Sequence, residues 1–362
     1  MFCPPGNRGV FYLTNAEYVL YYKDKEENME TVRHVDIVAD LSWGDTGKGK
    51  ITSYLSRNNK YDFVCRWAGG NNAGHTVYIN GNKYKTHLIP SGIFHGITSI
   101  IGPACVINLD SFLEEVRYLS DNGFDTSLIK VSPRAHVVTD EHIEEDKTKL
   151  AKTLGTTSKG IAPCYRDKMA RTGTLAKDVI ADEFLWDEVL YGDVLCEGAQ
   201  GFYLDIDWGN YPYVTSSTTL PYGACSLGFP PQKIRNIWGI CKAYDTRSGV
   251  DPLFPKTLLQ DDELAKLGDI GMEYGVTTGR RRVCNWLNLD MLIKAAEISG
   301  ATSLVINKCD VLEENGVYKC QYQGKLVTFE NLAQMKMFIC NKLTAASNLI
   351  KDYYFSHSPE EL

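Results

Sequence analysis

The sequence predicts an α/β protein with a mainly parallel central sheet flanked by helices, and three observations carry that expectation. Short apolar runs recur along the chain, glycine-rich turns follow most of them, and helix-length segments separate them. Strands alternating with helices in this way are the signature of βαβ units. The first strand is expected at 35–41, Val-Asp-Ile-Val-Ala-Asp-Leu, and the turn after it opens a helix. Further strands are expected at 61–67, 100–107, 193–197, 237–242 and 303–307, with helices at 111–122 and 289–299 among those between them. Ligands of such sheets gather at the carboxyl ends of the strands, which is where the turns with chemical character fall.

Residues 1–34 precede the first strand and form an N-terminal extension of mixed character. Apolar residues at 11–13 and 18–22 suit a short hairpin, and 23–30 is a charge run with Met29 near its end. No linker, repeat or low-complexity tract divides the rest, so 35–362 is expected to be a single catalytic domain.

Bulk properties narrow the function. A chain of 362 residues that is 44% hydrophobic can bury a large core. Its formal charge of −7 argues against a general nucleic-acid surface, so any phosphate recognition belongs in local pockets and the partners are small anions. No apolar run reaches the ~18 to 20 residues that span a bilayer, so no membrane partner is expected. Eleven cysteines occur without a C-x-x-C pair or zinc spacing. That usage suits reduced, buried thiols in the cytoplasm, or the host cytoplasm if the source is viral.

The segment Ser42-Trp43-Gly44-Asp45-Thr46-Gly47-Lys48-Gly49-Lys50 carries the densest chemistry. Its glycines let backbone N–H groups approach phosphate oxygens, and the helix N-terminus adds partial positive charge. A lysine can neutralise a transferring phosphoryl group, and Asp45 supplies a potential base. It is not a Walker A loop, because two residues separate Gly44 from Gly47 and no hydroxyl follows Lys48 or Lys50.

Five other blocks accompany it in order: Gly69-Gly70-Asn71-Asn72-Ala73-Gly74-His75-Thr76, His87-Leu88-Ile89-Pro90-Ser91-Gly92, Glu197-Gly198-Ala199-Gln200-Gly201, Tyr211-Pro212-Tyr213-Val214-Thr215-Ser216-Ser217 and Thr277-Thr278-Gly279-Arg280-Arg281-Arg282. With these the chain closely resembles the adenylosuccinate synthetase family from about 35 to 310. The resemblance implies that family's fold with a reduced periphery, most of the loss falling between Arg171 and Glu197. It implies a ligase that joins the amino group of L-aspartate to carbon 6 of a 6-oxopurine nucleotide. The 6-oxygen is phosphorylated first by a nucleoside triphosphate and then displaced.

Roles follow by resemblance. Asp45 matches the general base on N1 and a magnesium ligand, and the carbonyl of Gly74 matches a second ligand. Lys48 and His75 match the groups that stabilise phosphoryl transfer, within a triphosphate site of Gly47, Lys48, Gly49, Lys50, Gly74, His75 and Thr76. Asn72, Thr157, Gln200 and Thr215 match nucleotide positions, with the catalytic Gln200 near the 6-oxo group. Arg171 matches an arginine that reaches a neighbouring subunit, which implies a homodimer. Thr277, Thr278, Gly279, Arg280 and Arg282 resemble the loop that holds aspartate, while Arg281 is expected to point elsewhere. Asn307-Lys308-Cys309-Asp310 resembles an N-K-x-D base reader, placing Lys308 and Asp310 at the donor base.

Several positions depart from the family's common pattern. Thr46 stands where a glutamate is usual, Trp67-Ala68 and Ser158-Lys159 replace other pairs, and Ser248 replaces a valine at the ribose. Thr46 would supply room and an acceptor for a 2-amino group, a feature of the family's phage branch. The expected substrate is therefore dGMP, with ATP or dATP as donor, and the alternative is IMP with GTP. Retention of Asp45 counts for the alternative, because the best-known phage members replace it. A nucleotide-sensing switch built on Lys308 and Asp310 is the competing class, and Asp45 with His75 argues against it.

Overall fold

The computed structural model describes residues 31–252, 254, 262–275 and 279–362. The chain divides into two units, Met1–Thr31 and Val32–Leu362. Of the first only Thr31 is described, so the hairpin expected at 11–13 and 18–22 lies outside the described residues.

The second unit is built on an eight-stranded sheet. In chain order its strands are β1 (Val32–Asp40), β2 (Phe63–Arg66), β3 (Thr98–Ile101), β4 (Ile129–Val131), β5 (Gly192–Glu197), β6 (Ile234–Lys242), β7 (Ser303–Asn307) and β8 (Asp352–Phe355). They lie side by side as β8-β7-β6-β1-β5-β2-β3-β4, every neighbour parallel. Alternation along the strands feeds two cores. Val35, Ile37 and Ala39 pack with Phe63, Cys65, Val194 and Cys196 on one face. On the other, Val38 packs with Val64, Leu195, Ile240 and Val305 and with Ile51 and Leu55 of helix α1 (Lys48–Asn58). A sheet covered on both faces explains why its central strands read as nearly continuous apolar runs.

Helices α2 (Leu109–Asp121) and α3 (Leu289–Ser299) start at asparagine caps, where Asn108 and Asn288 accept the backbone N–H of Ser111 and Met291. The bounds expected for β7 and α3 coincide with those observed. The run at 100–107 is instead two strands, Thr98–Ile101 and Val106–Ile107. Between them Gly102 donates its N–H to the carbonyl of Arg66 at 2.8 Å, and Pro103 has no N–H to continue a ladder. A smaller sheet joins Tyr244–Arg247, Val283–Asn288, Tyr318–Tyr322 and Lys325–Phe329. It brings the segments around 248 and 282 beside the turn that follows β1.

All cysteines among the described residues are free. Among the described residues no helix is long and apolar enough to cross a membrane.

Candidate active site

The turn after β1 is tied down from beneath by Asp40, the last residue of the strand. Its buried carboxylate accepts the N–H of Ser42 at 2.8 Å and of Gly44 at 3.2 Å, the hydroxyl of Thr46 at 2.5 Å and the ammonium of Lys48 at 3.0 Å. Lys48 also donates to the carbonyl of Gln200 at 2.5 Å, which leaves one ammonium hydrogen for a ligand. Gly47 caps α1 with φ of 100°, and a Cβ there would stand 2.9 Å from the Asn307 amide. Gly49 is required for another reason, since its Cβ would meet the Cβ of His75 at 2.9 Å. The glycines therefore allow the left-handed entry to the helix and the close approach of His75.

Two residues of the turn, Thr46 and Lys50, are held inward. Thr46 is 2% exposed, its hydroxyl is donated to Asp40, and its carbonyl accepts the Asn307 amide at 2.7 Å. It is a strut inside the turn, buried where the sequence reading expects room and an acceptor beside a purine 2-amino group. Lys50 was expected at the triphosphate, yet its ammonium is held by Asn307 Oδ1 at 3.0 Å, by Ser356 Oγ and by the Ser358 carbonyl at 2.6 Å. Burial pushes its pKa down to about 8 even with Asp310 nearby. Its observed part is to fasten the turn to the segment after β8.

Asp45 sits in the left-handed region at φ 57° with a side chain 29% exposed. Arg282 reaches Asp45 Oδ2 through Nε and Nη2, both at 3.0 Å, and the Ser248 hydroxyl donates to the same oxygen at 3.2 Å. The other nitrogen of the Arg282 fork meets Glu273 at 2.5 Å. Glu273 is 1% exposed and also accepts from Lys242 at 2.9 Å and from the Tyr244 hydroxyl at 2.7 Å. Burial raises its pKa, but Lys242 and Arg282 more than offset this and hold the carboxyl below the usual range. Arg282, expected at aspartate, thus bridges two carboxylates, and Arg281 pairs outward with Asp269 at 2.5 Å.

That buried cluster carries a stability prediction. Glu273→Gln should cost about 3 to 5 kcal/mol at neutral pH, because it leaves buried Lys242 without its carboxylate and Arg282 with Asp45 alone. A depressed carboxylate contributes stability that is present above the ordinary glutamate value of about 4.5 and lost as pH falls through the folded value. The gap between wild type and variant should accordingly narrow below about pH 4.5, which denaturant titrations from pH 3 to 7 would measure. A gap that stays constant across that range would show that the carboxylate charge is not what stabilises.

His75 opens the strand His75–Ile79 and is 6% exposed. Its Nδ1 is paired with Glu197, the fully buried last residue of β5, which also accepts the N–H of Ser91 at 2.8 Å. Burial lowers the imidazole pKa and Glu197 only partly opposes this. Burial also works against the Glu197 charge, but His75, Arg66 and the Ser91 N–H together keep it low. The pair is an imidazole fixed through Nδ1 by an ionised carboxylate, with Nε2 left for a ligand.

Gln200 adopts φ of 53° and its amide donates to Asn72 at 3.4 Å, so the two residues expected at the nucleotide meet. Gly74, Thr76, Thr157 and Thr215 are half-buried. Gly279 and Arg280 are exposed, and Arg280 donates to the Gly155 carbonyl at 3.2 Å, two residues from Thr157. Thr277 and Thr278 lie outside the described residues. Arg171 is exposed at the C-cap of the helix Ile161–Ala170. Lys308 caps the helix Cys309–Asn315 in the left-handed region, and Asp310 is exposed in its first turn. Trp67 is 1% exposed and donates its ring N–H to the Thr218 carbonyl at 3.2 Å, and Ala68 is buried beside it, so both are part of the core.

Five residues that sequence reasoning left without a role hold this arrangement: Asp40, Glu115, Glu197, Glu273 and Asn307. Glu115 accepts the backbone N–H groups of His87, Leu88 and Ile89 at 3.0, 3.0 and 2.9 Å. The available signal was a carboxylate or amide inside or at the end of an otherwise apolar strand, as at Asp40, Glu197 and Asn307. Such a residue needs buried partners.

A sequence model of the family described as adenylosuccinate synthetase matches residues 37–191 and 182–323. An adenylosuccinate synthetase of Shouchella clausii (strain KSM-K16) is 41% identical over 335 residues, covering 76% of this chain and 77% of the relative. One from Trichoplax adhaerens is 39% identical over 350 residues, covering 81% and 77%. Among solved structures, the fully ligated adenylosuccinate synthetase of Plasmodium falciparum superposes with a TM-score of 0.73 at 28% identity, covering 90% of this chain and 98% of that one. The succinoaminodeoxyadenylate synthetase of cyanophage S-2L, bound to dGMP and to dATP as energy donor, gives a TM-score of 0.69 at 21% identity, covering 91% and 94%. At that identity it shares the fold alone.

Proposed function

Because the chain belongs to the adenylosuccinate synthetase family of ligases, we propose that it joins L-aspartate to carbon 6 of IMP, with GTP as phosphate donor. The observation that carries IMP over dGMP is the inward placement of Thr46, which is 2% exposed with its hydroxyl turned to Asp40. Sequence kinship supports the same choice, since relatives near 40% identity are adenylosuccinate synthetases. For the donor, exposed Asp310 offers a carboxylate to the N1 and 2-amino hydrogens of guanine.

In this reading Asp45 takes the N1 proton of the nucleotide on Oδ1 while Oδ2 stays with Ser248. The Gln200 amide, set by Asn72, steadies the 6-oxygen on which charge then builds. Lys48 presents its remaining N–H to the phosphoryl group in transit, and His75, fixed by Glu197, contacts the triphosphate through Nε2. Backbone N–H groups from Gly47 to Lys50, with Thr76, complete that cradle. Thr157 and Thr215 serve the nucleotide's phosphate. Arg280 and Arg282, with Thr277, Thr278 and Gly279, hold the carboxylates of aspartate, so Arg282 exchanges Asp45 or Glu273 for a ligand carboxylate as aspartate enters. Arg171 reaches the same site in a second copy of the chain.

Magnesium fits the oxygens available. The Asp45 carboxylate supplies one hard donor and the Gly74 carbonyl a second, leaving other positions to phosphate oxygens and water. Bound there, the ion would neutralise charge on the triphosphate.

The decisive experiment measures succinyl-nucleotide formation from IMP, GMP and dGMP, each with GTP, ATP and dATP, in the presence of aspartate and magnesium. IMP with GTP is expected to give the highest kcat/KM. A preference for dGMP would return the assignment to 2-aminoadenylate chemistry, and no succinyl product with any pair would remove the ligase reading.

A further inference from the structure

We infer that Ser248 is a positioning residue that decides which oxygen of Asp45 acts, an inference that rests on Asp45 being the proton acceptor. Two hydrogen bonds and an ion-pair contact converge on one carboxylate oxygen. Ser248 Oγ reaches Asp45 Oδ2 at 3.2 Å, and Arg282 reaches it through Nε and Nη2 at 3.0 Å each. Among the described residues nothing bonds Oδ1. The carboxylate is therefore divided into an anchored oxygen and a reacting one.

The fold prepares this arrangement from two strands. Tyr244–Arg247 pairs antiparallel with Val283–Asn288, with Arg247 opposite Val283, so 248 and 282 face each other just beyond the last pair. Arg247 fixes its neighbour, donating to the Ser248 carbonyl at 2.6 Å and to the Tyr213 carbonyl at 3.2 Å. The Ser248 hydroxyl then uses both of its capacities, giving its proton to Asp45 and accepting Arg282 Nε–H at 3.2 Å.

The two anchors are not equivalent. Arg282 is shared among Asp45, Glu273 and, in the proposed mechanism, the carboxylate of aspartate. When the guanidinium turns to that ligand, Ser248 is the donor that still holds Oδ2. A general base must present its accepting oxygen within hydrogen-bond reach and at the right angle to the proton it takes. A side chain without a hydroxyl at 248 would let the carboxylate rotate when the site is full, so the defect belongs to turnover and not to binding.

Ser248→Thr and Ser248→Val are nearly isosteric and differ in the hydroxyl; Ser248→Ala removes it without added bulk. Steady-state constants for IMP, GTP and aspartate would be measured for all three beside wild type and Asp45→Asn. Ser248→Val and Ser248→Ala should lose about tenfold in kcat, the scale of one hydrogen bond to a charged group. Each KM should stay within about twofold and Ser248→Thr should remain close to wild type. Equal kcat for the Thr and Val variants would overturn the inference. So would a rise confined to one KM, which would make Ser248 a ligand contact. If Asp45→Asn itself keeps near-normal turnover, the base assignment fails, and the inference fails with it in a way the serine variants alone would not reveal.

Discussion

Asp45→Asn is expected to lower kcat by about 10³-fold, within the 10² to 10⁴ that a positioned general base contributes, while nucleotide KM values change by no more than about threefold. The geometry makes asparagine an informative choice. Its carbonyl can take the place of Oδ2 under Ser248 and Arg282, since both are donors. The amide nitrogen then occupies the reacting position, where it has hydrogens to give and cannot accept the N1 proton. The turn itself should hold, because its struts run through Asp40 and Asn307 and not through Asp45. Turnover within a few-fold of wild type would remove Asp45 from the mechanism.

His75→Asn is expected to lower kcat by about 10²- to 10³-fold, the usual loss when one donor to a charge-developing oxygen is deleted. Asparagine places an amide near the position of Nδ1, so Glu197 keeps a partner in its buried setting. Nothing remains at Nε2 to meet the triphosphate. The expected pattern is lost turnover with little change in melting temperature, read by saturation kinetics and thermal unfolding together. Lost activity accompanied by a large fall in melting temperature would instead make the histidine a structural partner of Glu197. Retained activity would dismiss it altogether.

Much of this site was legible because its chemistry is local in sequence. Gly47 and Gly49 stand where a left-handed helix entry and a close approach demand them, and Asp45, Lys48 and His75 follow from those blocks. The central strands were legible because a sheet covered on both faces leaves uninterrupted apolar runs. Strands β4 and β8, short and at the two edges, leave little pattern to read. Partnerships across the sheet were hidden for a different reason. Glu197 meets His75 and Asn307 meets Thr46 only after parallel strands bring their carboxyl ends together, and no periodicity encodes which polar side chain will lie opposite which. Thr46 is an example. Its size and hydroxyl were visible in the sequence, but the direction of that hydroxyl depends on Asp40 six positions earlier and on the turn between them.

The clamp on Lys50 also orders events in the life of the chain. Its partners Asn307, Ser356 and Ser358 lie 257, 306 and 308 positions further on. A ribosome releases the turn after β1 long before it makes the residues that secure it, and closing so long a loop is a late and entropically costly step. The nascent polypeptide therefore carries an unfastened turn for most of its synthesis. The turn is fully fastened only once the last strand of the sheet and the residues after it are in place.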